Sequence, residues 1–244
     1  MPIETLLFIC VAILIVAFLY SSVGHAGASG YIAVMTLFGL APAVVKPSAL
    51  VLNILVASIT AWQFWKAGHF SWKLFWPFAI SSVPCAFLGG YLNLPTHIFK
   101  IIVGIVLLYS AARFLIQSKP DAETHIPTKP IAISVGAGLG FLSGLTGVGG
   151  GIFLTPLVIL MHWAQTKTAS AVSALFILAN SISGLLGNFA STKQLPFFAL
   201  PFALAAILGG SVGSYLGSRR FSPMIIKRLL AVVLVIAGIK LIFT

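Results

Sequence analysis

The densest chemical signal in the chain is Gly144-Leu145-Thr146-Gly147-Val148-Gly149-Gly150-Gly151. Glycines let the backbone leave helical geometry and present its N–H groups. A short apolar stretch, Ile152–His162, follows and reads as a helix whose N-terminus faces the glycines. Unpaired N–H groups and the positive end of the helix dipole favour an anion there. No Gly-Lys-Ser/Thr follows, which excludes a Walker-type phosphate loop. A second stretch, Ser21–Gly30, repeats the plan with the hydroxyls of Ser21, Ser22 and Ser29 beside Gly24 and Gly27. Two such helix ends facing each other would cradle one small oxyanion. The expected contacts are Thr146, Gly147, Gly149, Gly150 and Gly151 on one side, and Ser21, Ser22, Gly24, Gly27 and Ser29 on the other.

Three more side chains belong to this constellation. His25 stands inside the first stretch where the second has Val148. Protonated it would bind the anion, and it is also able to relay a proton. Asn53 and Asn180 are amides inside apolar segments. Close helix packing by glycine and interhelical bonding by asparagine are the ordinary alternatives in a membrane. The density of the glycine cluster, and its recurrence, favour a site.

The absences are equally informative. Glu4, Asp121 and Glu123 are the only acids in the chain. None lies within an apolar segment, so no carboxylate is placed to hold a cation or carry a proton through the bilayer. Cys10 and Cys85 lie in apolar segments without metal or disulfide spacing, and read as buried small hydrophobes. Paired carboxylates, a His/Glu metal motif and a serine–histidine arrangement are all missing, which argues against an enzyme. No cofactor is implied.

These residues need elements to hold them, and composition says which. The chain has 244 residues, 59% hydrophobic and 7% charged. A soluble domain carries about 25% charged residues. Apolar blocks at Leu6–Tyr20, Pro47–Trp65, Leu74–Leu92, Ile98–Ile116, Ala169–Phe189, Pro196–Gly217 and Met224–Phe243 approach or reach the length of a membrane span. An all-α polytopic membrane protein is expected. Glu4 is the only charge near the first block and no basic stretch precedes it, so it reads as a retained helix. The net charge of +11 sits mostly in loops and reads as an orientation signal, not as a nucleic-acid surface.

The chain also reads as two copies of one unit, residues 1–117 and 131–244, joined by a polar linker at 118–130. Ser48-Ala49-Leu50 echoes Ser173-Ala174-Leu175, and Pro77-Phe78-Ala79 recurs as Pro201-Phe202-Ala203. Gly89-Gly90-Tyr91-Leu92 recurs as Gly213-Ser214-Tyr215-Leu216, and the two glycine-containing stretches align as well. Each copy predicts a helix, a Gly/Ser break, a short helix of about 15–17 Å, and three spans.

Loop charges choose between two topologies. If helix and short helix form one broken span, the basic residues divide evenly. If they form a hairpin, Lys66, Lys73, Arg113, Lys119, Lys129, Lys167, Arg219, Arg220, Lys227 and Arg228 gather on one side. Lys46, Lys100, Lys193 and Lys240 are left on the other. That is a positive-inside pattern. Inverted repeats follow, with a cytoplasmic linker and both termini outside. Re-entrant and fully spanning hairpins both fit the tally. Inverted repeats with interrupted helices are a recurring plan of secondary transporters, with the site near the midplane.

The sequence resembles the TauE/SafE family of sulfite and organosulfonate exporters over nearly its whole length. The most specific part is the Gly144–Gly151 cluster with Pro156 beyond it. The first-half copy, Gly24-His25-Ala26-Gly27-Ala28-Ser29-Gly30, departs from the pattern. The resemblance implies transport of sulfite, sulfonates or related small anions; the membrane expected is a bacterial inner membrane. An anion channel, or a transporter of another small anion, is the competing expectation. The partners expected are the anion and the lipid bilayer, with no nucleic acid. The oligomeric state stays open, a homodimer included.

Overall fold

The computed structural model describes residues 3–92, 108–109, 111–112, 124–193 and 199–243. Every element among the described residues is helical. Helix is the only open element that satisfies its own backbone in lipid, so apolar runs of this length have no other stable form. The first half gives α1 (Ile3–Ser22), α2 (Ala28–Leu37), α3 (Pro42–Lys66) and α4 (Trp72–Tyr91). The second gives α5 (Lys129–Thr146), α6 (Gly151–Leu160), α7 (Thr166–Thr192), α8 (Leu200–Tyr215) and α9 (Pro223–Phe243). A π-helical turn, Leu216–Arg220, continues α8. Among the described residues, six helices are long and apolar enough to cross a membrane: α1, α3, α4, α5, α7, and α8 with its π turn. The chain is an integral, multi-pass helical protein. The expected span Ile98–Ile116 and linker residues 118–123 lie largely or wholly outside the described residues.

The helices pack through small residues, as helices do in membranes. Gly209, Gly213 and Gly217 lie against the backbone of Leu14, Phe18 and Ser22, so α8 runs parallel to α1. Gly136, Gly140 and Gly144 lie against Phe78, Ser82 and Ala86, so α5 runs parallel to α4. Each half therefore packs its first helix on the other half's second full span after the break. Between α3 and α7 the order reverses: Leu50 lies near Gly184, and Asn53 bonds Ser181. These two helices are antiparallel.

One carbonyl marks where the ends gather. Ser218, in the π turn after α8, accepts hydrogen bonds from His69 Nε2 at 3.0 Å and Lys167 Nζ at 3.3 Å. A π turn leaves carbonyls out of register with the helix ladder, which frees this one for outside donors. His69 follows the end of α3 and Lys167 is at the head of α7. Hence α1, α3 and α8 end on the face where α4 and α7 begin.

Both short helices begin beside the helix that precedes them. Gly30 of α2 rests against Val16 and Tyr20 of α1, and Gly150 rests near Leu139 and Ser143 of α5. Ten residues make each short helix about 15 Å long, half the hydrocarbon thickness. Two apolar clusters hold the bundle, one around α1–α3 and α8, the other around α4–α7 and α9. Two details differ from the sequence expectation. Cys10 and Cys85 are partly exposed, not buried. Cys10 stands on a helix flank where its thiol reaches the Pro201 carbonyl at 3.6 Å. Helix α5 starts at Lys129, inside the expected linker, because Pro130 suits the first turn of a helix.

Candidate functional site

The two breaks meet midway along α3 and α7. Their glycines take left-handed backbone, with φ of +86° at Gly24, +104° at Gly27, +76° at Gly147, +83° at Gly149 and +80° at Gly150. Side chains other than glycine are strained in this region, so the breaks depend on glycine.

The first break is internally satisfied. Asn53, buried in α3, accepts the Ala28 amide at the head of α2 at 3.0 Å. The Tyr31 hydroxyl donates to the Ala26 carbonyl at 2.6 Å, and Ser29 Oγ donates to the Tyr20 hydroxyl at 2.9 Å. Gly24 abuts Ser170 of α7, whose Cβ would lie 2.5 Å from any Cβ added there. Gly27 abuts the Tyr31 ring.

The second break is barer. Gly147 ends α5 and Gly150 heads α6. The first intrahelical bonds of α6 are made by Phe153 and Leu154 to the Gly150 carbonyl. The amides of Gly151 and Ile152 precede them and point out of the helix head. Around that head, Gly150 neighbours Ser143 and Phe176, and Gly151 neighbours Ile177 and Ser173. The hydroxyls of Ser143 and Ser173 are fully buried and have no hydrogen-bond partner.

Two bridges join the breaks. The Asn53 amide donates to the Val148 carbonyl at 3.3 Å and to Ser181 at 3.2 Å, while its oxygen holds α2. His25 Nε2 lies 2.8 Å from Thr155 Oγ1, one turn into α6, and the ring is 2% exposed. Its Nδ1 has no partner. The tautomer decides which atom donates in the His25–Thr155 bond.

Asn180 presents the sharpest anomaly. It is fully buried in α7, and neither its Nδ2 nor its Oδ1 has a partner among the described residues. Ser173, Ile177 and Asn180 are spaced to share one face of α7, which is the face against the head of α6. Ser170 and Ser48 add further buried hydroxyls without partners. Buried polar groups are nearly always bonded, so a cluster of orphans demands a cause. A cavity of about 290 Å³ lies elsewhere, between Ser58, Trp62, Trp65, Phe70, Trp72 and Leu175. Its one hydroxyl, Ser58, already donates to Ile54, and no cation lines it. It offers an anion little.

The family model for sulfite exporter TauE/SafE matches residues 9–241. The chain belongs to the TauE/SafE family. A relative from Sinorhizobium fredii, named a probable membrane transporter protein (y4hK), is 39% identical over 96% of this chain and 97% of its own. YjnA of Bacillus subtilis, named in the same way, is 26% identical over 94% of this chain and 96% of its own. Sulfite exporter TauE/SafE family protein 6 of Arabidopsis thaliana is 28% identical over 44% of this chain and 26% of its own. No solved structure matches the chain. This TauE/SafE protein is therefore a membrane transporter of a sulfite exporter family.

The structure sorts the residues expected from the sequence of this family member. Gly149, Gly150, Gly151, Asn53, His25 and Gly24 converge where the breaks meet. Ser21 and Ser22 do not open toward it. Helix α1 runs on to Ser22, and both hydroxyls turn back to the Phe18 and Leu19 carbonyls at 3.3 and 2.7 Å. Thr146 does the same with Leu142 at 2.7 Å. Such back-bonding is the usual use of hydroxyls inside helices. Thr155, Ser143 and Ser181 were not expected. A signal existed for Thr155, a polar residue four places after Gly151 in an apolar helix.

Proposed function

We propose that this protein moves a small oxyanion, sulfite or an organosulfonate, through the membrane and binds it at the head of α6. The observation that carries the reading is the set of buried donors without partners there. Among the described residues the Ser143 and Ser173 hydroxyls next to the Gly150–Gly151 head have none, and neither has the Asn180 amide on the same face of α7. An oxyanion accepts several such bonds and carries the charge that a helix N-terminus favours. His25 closes the site from the other repeat. Sulfite is the substrate named in the family description.

The helix senses support inverted repeats. Helices α1, α3 and α8 run one way and α4, α5 and α7 the other, so the first helix of one half opposes that of the second. Basic residues support the orientation. Lys66, Lys73, Lys129, Lys167, Arg219 and Arg220 lie at helix ends on one face, and Lys46 and Lys193 on the other. The first face is cytoplasmic in this reading, the membrane is a cell inner membrane, and the repeats divide at the linker. In a Cys10→Ala, Cys85→Ala background, Lys66→Cys and Lys193→Cys label from opposite sides of the membrane. Labelling from the same side would reject the inverted arrangement.

The decisive measurement is radiolabelled sulfite flux into proteoliposomes, with sulfate, sulfonates and carboxylates as competitors. Saturable flux, reduced in Ser173→Ala and Asn180→Ala, is expected. Saturable flux untouched by either substitution would remove the head of α6 from the path.

A further inference from the structure

We infer that Lys46 is the cation that receives the anion at the lip of the second break, a role that rests on the α6 site proposed above. Lys46 lies near the start of α3, and its Cγ would be 2.9 Å from a Cβ built on Gly147. Gly147 closes α5 with φ +76°. The absence of a side chain there lets the lysine stem lie flat across the break. From Gly147 the chain needs only Val148, Gly149 and Gly150 to reach the head of α6.

Among the described residues the ammonium has no counter-charge: Lys46 is half-buried and makes neither a hydrogen bond nor an ion pair with any of them. Glu4 is the only carboxylate among the described residues, and it is exposed at the start of α1. A cation drawn partly out of water without a partner is costly to keep. The cost is removed when a mobile anion supplies the opposite charge. The opposite half provides the contrast. Lys167, near the head of α7 and on the side of the first break, donates to the Ser218 carbonyl at 3.3 Å. One lysine is tied to protein, and the other is free for substrate. A lysine suits this task because its compact charge and three donors fit an oxyanion in any orientation.

The test compares Lys46→Gln, Lys46→Arg and Lys167→Gln in proteoliposomes with sulfite as the probe. Lys46→Gln raises the half-saturating concentration by about tenfold, the loss of one charge-assisted contact. Lys46→Arg restores most of the loss, and Lys167→Gln leaves half-saturation unchanged. A second readout needs no turnover. Acetylation of Lys46 by an amine-reactive ester, followed by mass spectrometry, is slowed by sulfite but not by equal ionic strength of choline chloride. Acetylation of the exposed Lys66 is not slowed. Unchanged half-saturation in Lys46→Gln, or no protection of Lys46, overturns the assignment. If Ser173→Ala and Asn180→Ala still lower flux, the α6 site survives that result. If neither does while Lys46→Gln weakens binding, the lysine stands and the α6 site falls. No saturable sulfite flux and no protection in the unmodified protein would remove both.

Discussion

The two breaks descend from the same sequence plan, yet their hydrogen-bond accounts differ. In the first, Asn53 takes the leading amide of α2, Tyr31 takes the Ala26 carbonyl, and Ser29 pairs with Tyr20. In the second, the head of α6 has no side-chain cap, Ser143 and Ser173 neighbour it, and Asn180 follows on the same face of α7, all three side chains without a partner among the described residues. The lysines follow suit, with Lys167 tied to Ser218 and Lys46 free. The difference teaches that two stretches with similar sequence need not make similar sites. One half is fastened and serves as the frame. The other keeps its donors unspent, at a cost in stability, and is where an oxyanion would be bound. Stability given up at functional positions is a general pattern.

The comparison breaks most completely if a glycine at the head of α6 proves dispensable. Gly150→Val places a β-branched residue at φ +80° with Phe176 2.9 Å from its Cβ. Flux is abolished while the protein still inserts and purifies, as size-exclusion chromatography of the detergent extract would show. Wild-type flux in that variant would mean the second break is packing alone.

The two asparagines sharpen the contrast at intermediate cost. Asn53→Ala strands the Ala28 amide and the Val148 carbonyl, at about 1–3 kcal/mol for each unsatisfied group. Its unfolding temperature falls. Asn180→Ala removes an amide that has no partner, so stability stays level or rises, while sulfite flux drops. Thermal unfolding of both variants beside their flux reads this directly. Equal loss of stability in the two would show that Asn180 is structural like Asn53.

The smallest effect is expected at the fastened side. His69 lies in the loop after α3, and burial holds its pKa below the usual histidine value. The Ser218 carbonyl opposes that shift, and Lys167 adds to it. The folded state therefore binds fewer protons than the unfolded state once the pH falls toward the ordinary histidine pKa. Stability is present above that pKa and is lost on acidification. Between about pH 7.5 and 5.5 the unfolding temperature falls less in His69→Gln than in the wild type. An identical pH slope in both would free His69 from any part in the tie.

Much of this was legible without coordinates. The break at Gly144–Gly151 and the short helix after it were readable because glycine density and apolar run length are local properties. The hairpin rests on the loop charges, because Lys66, Lys167 and Arg219 take a single side only if α2 turns back, and the inverted arrangement built on it is the reading we propose. Other readings failed where a side chain had to choose a partner. Ser21, Ser22 and Thr146 looked like site hydroxyls, but each bonds a carbonyl three or four residues behind it.

The sequence by itself determined that the chain lives in lipid, that its helices are interrupted at glycines and followed by short helices, and that no acid lies deep in an apolar segment. Those follow from hydropathy, glycine placement and composition, which need no neighbours. Only the tertiary structure decided which polar groups are spent and which are free. Asn53 and Asn180 are alike in type and burial, but one meets Ala28, Val148 and Ser181 and the other meets nothing. His25 finds Thr155 across 130 residues of chain. A hydrogen bond is made within about 3 Å and at a set angle, and only packed helices bring such distant residues that close.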